Sequence, residues 1–273
     1  MDLSIFQFPF MQRALIAGII LAALLALLGV FVMLKKMTFF ADGIAHASLG
    51  GIALGLLLSF NPLIVALLAS LVFALIIYLV EKKYQFASDT TIGIIFTGGM
   101  SLGLILISFK SGYQPELISF LFGNILSVGL SELWLIGLAS VLIYLIVWRY
   151  FKAFILLALD SETAEISGYK THILQPVLYM LLSATVVLGI KILGIILVSG
   201  LLIIPVAVAR LSAKSFKSFV IRSIIFAELI VLIGLVVSYY LDSPTGPVIV
   251  LVGIVIFILQ AAWSSLLKRK IIK

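Results

Sequence analysis

Long runs of apolar residues, separated by short polar or basic stretches, make up almost the whole chain. The runs are about 17 to 22 residues long, which is the length that a helix needs to cross the hydrocarbon core of a bilayer. They do not alternate with polar residues, as the strands of an outer-membrane barrel would. The pattern predicts an all-α integral membrane protein, a polytopic bundle of about eight or nine transmembrane helices. The predicted spans lie near residues 15–34, 40–58, 63–80, 90–108, 131–148, 173–190, 192–209, 221–240 and 248–267.

Composition agrees with this class of protein. Of the 273 residues, 64% are hydrophobic and 11% are charged, and the mean hydropathy is +1.35. These values exclude a soluble globular domain and a disordered chain. The chain has no cysteine, so disulfides, thiolate metal sites and cysteine nucleophiles are absent. Any bound metal therefore meets only oxygen and nitrogen ligands.

The positive charges predict the orientation in the membrane. The net charge is +7, and of the 18 Lys and Arg residues all but Arg13, Lys110 and Lys191 fall in the connections on one side of the predicted bundle. Cytoplasmic loops of membrane proteins carry such an excess of Lys and Arg. We therefore expect a multi-pass protein of the cell membrane with its N-terminus outside and its C-terminus in the cytoplasm. The positive charge indicates orientation rather than a nucleic-acid partner.

Asp42 and His46 are the most informative residues of the sequence. Ionisable groups inside a bilayer are costly, and they usually face a partner or a substrate pathway. The spacing i, i+4 places this carboxylate and imidazole on one face of a helix, where together they suit zinc or a similar divalent cation. Gly50 continues the same face without a side chain and leaves room for an ion. The alternative is a hydrogen-bonded pair with a structural role.

Two further positions inside predicted spans are candidates for the pathway. Glu228 lies about 9 Å beyond Arg222, the same depth at which Asp42 follows Lys36. Glu228 is therefore predicted either to join a metal site with Asp42 and His46 or to be the buried partner of a neutral group. Pro205 interrupts the hydrogen bonds of its helix, which predicts a kink or a gate.

The longest polar interval lies in a predicted cytoplasmic segment at about residues 150–172. Its composition predicts a short helix that is capped by Asp160 or Ser161 and ends near Gly168. The segment is either an ordinary loop helix or the docking element for a cytoplasmic partner, with Asp160, Glu162, Glu165 and Gly168 as its candidate coupling residues. The chain contains no phosphate-binding loop of the Walker type. If transport uses ATP, another subunit must hydrolyse it.

Four segments in order resemble the permease subunits of ATP-binding-cassette importers for zinc, manganese and iron. They are 37–55 with its Asp-x-x-x-His, 89–93, 200–205 and 242–247. The resemblance implies a single permease domain over residues 1–273, a homodimer, a separate cytoplasmic ATPase and an extracytoplasmic metal-binding protein. It also implies that Asp42 and His46 form the translocation site and that 150–172 contains the coupling segment.

The first of these segments is most similar to zinc permeases, with manganese and iron as the alternatives. The metal is then the transported substrate; we expect no permanent cofactor and no catalytic residues. One turn after Glu228 the sequence has Leu232, which offers no second ligand and so departs from a site with more ligands.

Two other functions remain open. One is an ABC permease for a siderophore, haem or cobalamin, which would not need an Asp–His chelate. The other is a secondary carrier or channel, driven by protons or the membrane potential, in which Asp42 and His46 relay protons.

Overall fold

The chain folds into a bundle of α-helices. The computed structural model describes residues 7–110, 123, 125 and 128–271, and within these ranges it contains no β-strand. This confirms the predicted all-α class. The helices are α1 (Pro9–Leu34), α2 (Phe40–Leu57), α3 (Pro62–Tyr84), α4 (Ser88–Ser108), α5 (Leu130–Arg149), α6 (Phe151–Leu159), α7 (Ser161–Ile166), α8 (Thr171–Ser212), α9 (Phe216–Leu241) and α10 (Thr245–Ile271).

Eight of the described helices are long and apolar enough to cross a membrane, and α8 is long enough to cross it twice. Its 42 residues would extend about 63 Å as a straight helix, twice the hydrocarbon thickness of about 30 Å. Gly194 breaks the helix with φ 76° and ψ 165°. A Cβ on Gly189 would lie 2.9 Å from the Val198 side chain, a contact that requires the chain to fold back. The described residues therefore contain nine apolar spans, with the break of α8 close to its predicted position.

Burial does not follow hydropathy in this bundle. The most apolar 18-residue windows of α1 and α2 are 72% buried, whereas those of α3 and α10 are 28% and 11% buried. Yet α2 has a mean hydropathy of only 1.4 and α3 has one of 3.1. Lipid-facing helices need apolar surfaces, whereas an interior helix can carry glycine and polar residues. The least apolar span therefore lies inside the protein.

Hydrogen bonds between helix ends show which helix ends lie at the same end of the bundle. At one end, the hydroxyl of Tyr78 on α3 donates to the carbonyl of His172 at the start of α8, at 3.3 Å. At the other, the ammonium of Lys110 donates to the carbonyl of Leu56 in the last turn of α2, at 2.9 Å. We call the first the basic end, because the connections predicted to be cytoplasmic lie there. The membrane side of each end stays a prediction.

The predicted short helix at the basic end is confirmed as α7, and Asp160 is its cap. The Asp160 carboxylate accepts hydrogen bonds from the Thr163 hydroxyl at 2.5 Å and from the Glu162 backbone N–H at 3.1 Å. The Thr163 hydroxyl, followed by the Glu162 N–H, lowers the pKa of Asp160 below its ordinary value. Gly168 adopts a φ of 85° just after the helix, a conformation that favours glycine.

Candidate metal-binding site

The helix that carries Asp42 and His46 packs closely between its neighbours. On one side of α2, a Cβ on Gly99 of α4 would lie 2.7 Å from the Cα of Ala47. On another side, a Cβ on Gly51 would lie 2.8 Å from the Cα of Ala66 on α3. The atoms that these Cβ atoms would meet belong to the backbone, which cannot move aside as a flexible side chain can. Glycine at these positions therefore allows the three helices to pack this closely. The third neighbour of α2 is α8.

Asp42 is bound to the second half of α8. The hydroxyl of Ser199 donates to Oδ1 of Asp42 at 2.5 Å. Ser199 is buried and follows the break at Gly194, so the fold-back of α8 brings this hydroxyl to α2. The hydrogen bond fixes one carboxylate oxygen in the interior of the bundle, as hydrogen bonds to metal-ligating carboxylates do.

His46 lies one turn further along α2, and its ring packs against Phe96 of α4. The two ring centroids are 5.0 Å apart with an interplanar angle of 87°, an edge-to-face contact. Nδ1 of His46 is buried and has no hydrogen-bond partner among the described residues. His46 and Asp42 are also close enough to interact electrostatically. The pair thus offers an oxygen and a nitrogen ligand in one interior position.

Glu228 lies on α9, which packs against α1, α8 and α10. Its Oε2 atom is buried and has no hydrogen-bond partner within the described part of the chain. Residues 7–110 and 128–271 contain no group of three His, Asp or Glu side chains arranged to hold one ion. In this conformation Glu228 therefore does not complete a three-residue site with Asp42 and His46. Its place in the pathway stays a prediction.

Pro205 lies inside α8, where the residue with non-helical backbone angles is Gly194. The sequence predicted a kink at the proline, but the sharp break occurs earlier, where glycine accepts a positive φ. A gating role for Pro205 stays a prediction. The candidate coupling residues Asp160, Glu162 and Glu165 are all exposed at the basic end.

A second polar cluster, which was not predicted from the sequence, anchors the start of α2. The hydroxyl of Tyr179 on α8 donates to the Glu81 carboxylate of α3 at 2.7 Å. The Tyr179 ring packs on Phe40, the first residue of α2, with centroids 5.5 Å apart. The Lys35 ammonium lies 5.8 Å from the same ring centroid. Three helices are therefore joined two residues before Asp42.

Ser199 and Phe96 were also missed by sequence reasoning. Each lies far along the chain from Asp42 and His46, and serine and phenylalanine are ordinary residues of a membrane span. The available signal for Ser199 was its position directly before the segment 200–205, which is one of the segments that resemble the permease family. Phe96 had no such signal.

Fold and site together define a multi-pass α-helical membrane protein with a carboxylate–imidazole pair in its interior. The chain belongs to the ABC 3 transport family, whose family model matches residues 7–264. The resemblance recognised in the sequence is thereby confirmed over almost the whole chain.

Several relatives match along most of their length. The high-affinity zinc uptake system membrane protein ZnuB of Haemophilus influenzae is 32% identical over 264 residues, covering 97% of this chain and 99% of that protein. The manganese transport system membrane protein MntC of Listeria monocytogenes is 32% identical, covering 93% and 90%. The structure of PsaBC from Streptococcus pneumoniae in complex with Fab matches with a TM-score of 0.82 and 31% identity, covering 94% of this chain and 92% of that chain.

Proposed function

We propose that this chain is the permease subunit of an ATP-driven importer for a divalent metal, with zinc as the first candidate. The observation that carries the proposal is the Asp42–His46 pair on α2, which is the least apolar of the described spans and is largely buried in the bundle. A half-buried carboxylate beside an imidazole inside a membrane span is costly unless a partner or a cation compensates it. The metal is the cargo, and the chain itself catalyses no reaction.

The ligand types support zinc over harder cations. Zinc binds nitrogen and carboxylate oxygen readily, whereas magnesium, calcium and manganese favour sites made of oxygen ligands. Among the relatives, ZnuB is named for zinc and MntC for manganese, so manganese is the second candidate. A large chelate such as haem or a siderophore would need a wide pocket, whereas this pair suits a single ion.

In the proposed transporter the permease contacts four kinds of partner. Two copies of the permease form a homodimer in the cell membrane, surrounded by lipid. A metal-binding protein delivers the ion on the extracytoplasmic side, and a cytoplasmic ABC ATPase binds at the basic end. The sequence has no phosphate-binding loop of the Walker type, which supports a separate ATPase.

Dependence on the ATPase tests this function against the secondary carrier. We expect radioactive zinc uptake by cells that express the complete transporter to fall to background when the ATPase carries a hydrolysis-blocking substitution. ATP then supplies the free energy for the conformational change that opens the pathway. Collapse of the proton gradient with ATP maintained provides the matched control. Uptake that survives the blocked ATPase and stops with the gradient would instead identify a proton-driven carrier.

We propose that residues 150–172 couple this motion to the ATPase. The N-cap at Asp160 fixes the start of α7 and leaves Glu162 and Glu165 facing solvent. Ile166, the last residue of α7, is 87% exposed and adds an apolar side chain to this surface. A short rigid helix with acidic and apolar side chains at its tip suits a protein–protein contact.

Charge reversal on α7 should separate the ATPase from the permease. We expect the complex with the double variant Glu162→Lys/Glu165→Lys to lose ATPase in co-purification, or to hydrolyse ATP without zinc uptake. The reason is that the two lysines would present positive charge to an ATPase surface that faces carboxylates in the wild type. Zinc binding by the permease should be unchanged. Asp89→Lys, which reverses an exposed carboxylate at the same end of the bundle, is the control. Normal co-purification and coupling in the double variant would return α7 to a loop helix.

A further inference from the structure

A cavity of about 660 Å³ opens at the basic end, between the two ends of the segment 150–172. One wall is the junction of α5 and α6, and the other is the loop from Gly168 to Lys170 with the first turns of α8. Three cations line it: Arg149, Lys152 and Lys170. Of the described residues around the cavity, none is acidic.

The positive charges of these three side chains are not neutralised by neighbouring carboxylates among the described residues. The Arg149 guanidinium lies over the ring of its neighbour Tyr150, 5.3 Å from the centroid. In the described part of the chain, neither Lys152 nor Lys170 forms an ion pair with a carboxylate. Three like charges around one concavity repel each other, and an anion placed among them would relieve that repulsion.

The rest of the lining is apolar and aromatic. Ile173 and Val177 lie one helical turn apart on α8, so their side chains follow one another along its surface into the membrane. Trp148, which is 69% exposed, lies at the end of the span α5. Tryptophan and tyrosine at the end of a span mark the level of the lipid headgroups. The cavity thus combines a cationic mouth with an apolar wall at headgroup depth.

We infer that this cavity binds an anionic phospholipid, with its phosphate among Arg149, Lys152 and Lys170 and an acyl chain along Ile173 and Val177. Basic pockets between helices on the cytoplasmic side of a membrane bind such headgroups. Soluble phosphate would gain nothing from the apolar wall, and an acidic protein segment would approach from the water rather than along the lipid-facing surface. The bound lipid would join the two ends of the segment that carries α7.

Retention of lipid by the full-length chain tests this inference. The permease is purified from membranes in mild detergent, and bound phosphatidylglycerol and phosphatidylethanolamine are measured by native mass spectrometry. In the triple variant Arg149→Gln/Lys152→Gln/Lys170→Gln, each lost charge should weaken phosphatidylglycerol binding roughly fivefold, and all three roughly a hundredfold. The substituted side chains are exposed, and size-exclusion chromatography checks that the variant is folded.

The control is Lys83→Gln/Lys214→Gln/Lys217→Gln. It removes three exposed cations from the same end outside the cavity, including one that lies over a neighbouring tyrosine ring. Normal phosphatidylglycerol retention in this control, with loss in the cavity variant, supports the site. Equal loss in both variants would mean general surface attraction and would overturn it. So would unchanged lipid in the cavity variant together with lost ATPase binding, because the cavity would then be a protein contact.

A further variant distinguishes binding of a phospholipid from binding of free phosphate. Ile173→Ser keeps all three cations but removes part of the apolar wall. We expect Ile173→Ser to lower phosphatidylglycerol retention. Millimolar inorganic phosphate should compete only weakly with the lipid, both in the wild type and in this variant. If inorganic phosphate displaces the lipid fully at millimolar concentration, and Ile173→Ser has no effect, the site binds free phosphate and the lipid assignment is wrong.

Discussion

Zinc uptake should fall to background when Asp42 or His46 is replaced by alanine. Each substitution removes one of the two proposed ligands on α2, while the remaining helix surface is unchanged. The proteins should still insert into the membrane and bind the ATPase, because neither residue belongs to the candidate coupling segment 150–172. The measurement is uptake of radioactive zinc at limiting concentration, normalised to the amount of permease in the membrane.

Three other variants show whether the effect is specific. Ser48→Ala, on the same helix, removes a buried hydroxyl that donates to the Ala45 carbonyl of its own helix, and should transport normally. Ser199→Ala removes the hydrogen bond to Asp42 and should lower zinc affinity roughly 10- to 100-fold, as loss of a partner of a metal ligand does. If Glu228 takes part in the pathway, Glu228→Gln should fold normally and slow uptake.

The contrary results are equally definite. Normal uptake by both Asp42→Ala and His46→Ala would end the assignment of these residues to the translocation site. Wild-type rates in Glu228→Gln, combined with poor expression of Glu228→Leu, would make Glu228 a structural residue. Loss of uptake in Ser48→Ala to the same extent as in Asp42→Ala would mean that α2 tolerates no change, and that the loss says nothing about metal binding.

A single methyl group on α4 should have different effects on stability at two adjacent positions. Gly99→Ala would place a Cβ 2.7 Å from the Cα of Ala47, so α4 would have to move away from α2. Such overpacking costs about 1–3 kcal/mol, and backbone atoms cannot move aside as a side chain can. Gly98→Ala meets nothing within 4 Å and should be neutral, or stabilising by up to about 1 kcal/mol through helix propensity.

Both thermal stability and transport report this contrast. We expect a lower unfolding temperature in detergent for Gly99→Ala than for the wild type, and an equal or higher one for Gly98→Ala. Zinc uptake by Gly99→Ala should also fall, because Phe96, one turn earlier on α4, would move away from the His46 ring. Equal behaviour of the two variants would show that α2 and α4 are less closely packed than the distances indicate.

Hydropathy predicted the class of fold because the bilayer acts on each segment separately. Every span must satisfy its own backbone hydrogen bonds in hydrocarbon, so a run such as Pro62–Tyr84 is a helix wherever it lies in the bundle. The same reasoning separated residues 173–190 from 192–209, and the structure breaks α8 close to that boundary, at Gly194. The short helix at Asp160 followed from local capping, which needs no tertiary contact.

The sequence by itself also determined the candidate site, because Asp42 and His46 are ligand types at i, i+4 inside an apolar run. Which residues face them was decided only by the tertiary structure. Ser199 reaches Asp42 because the chain reverses at Gly194, and Phe96 reaches His46 because Gly99 lets two backbones approach. Depth along a helix can be read from residue counts, as for Glu228. Its azimuth and neighbours depend on how helices pack, and close packing of small residues leaves no periodic signal in one sequence.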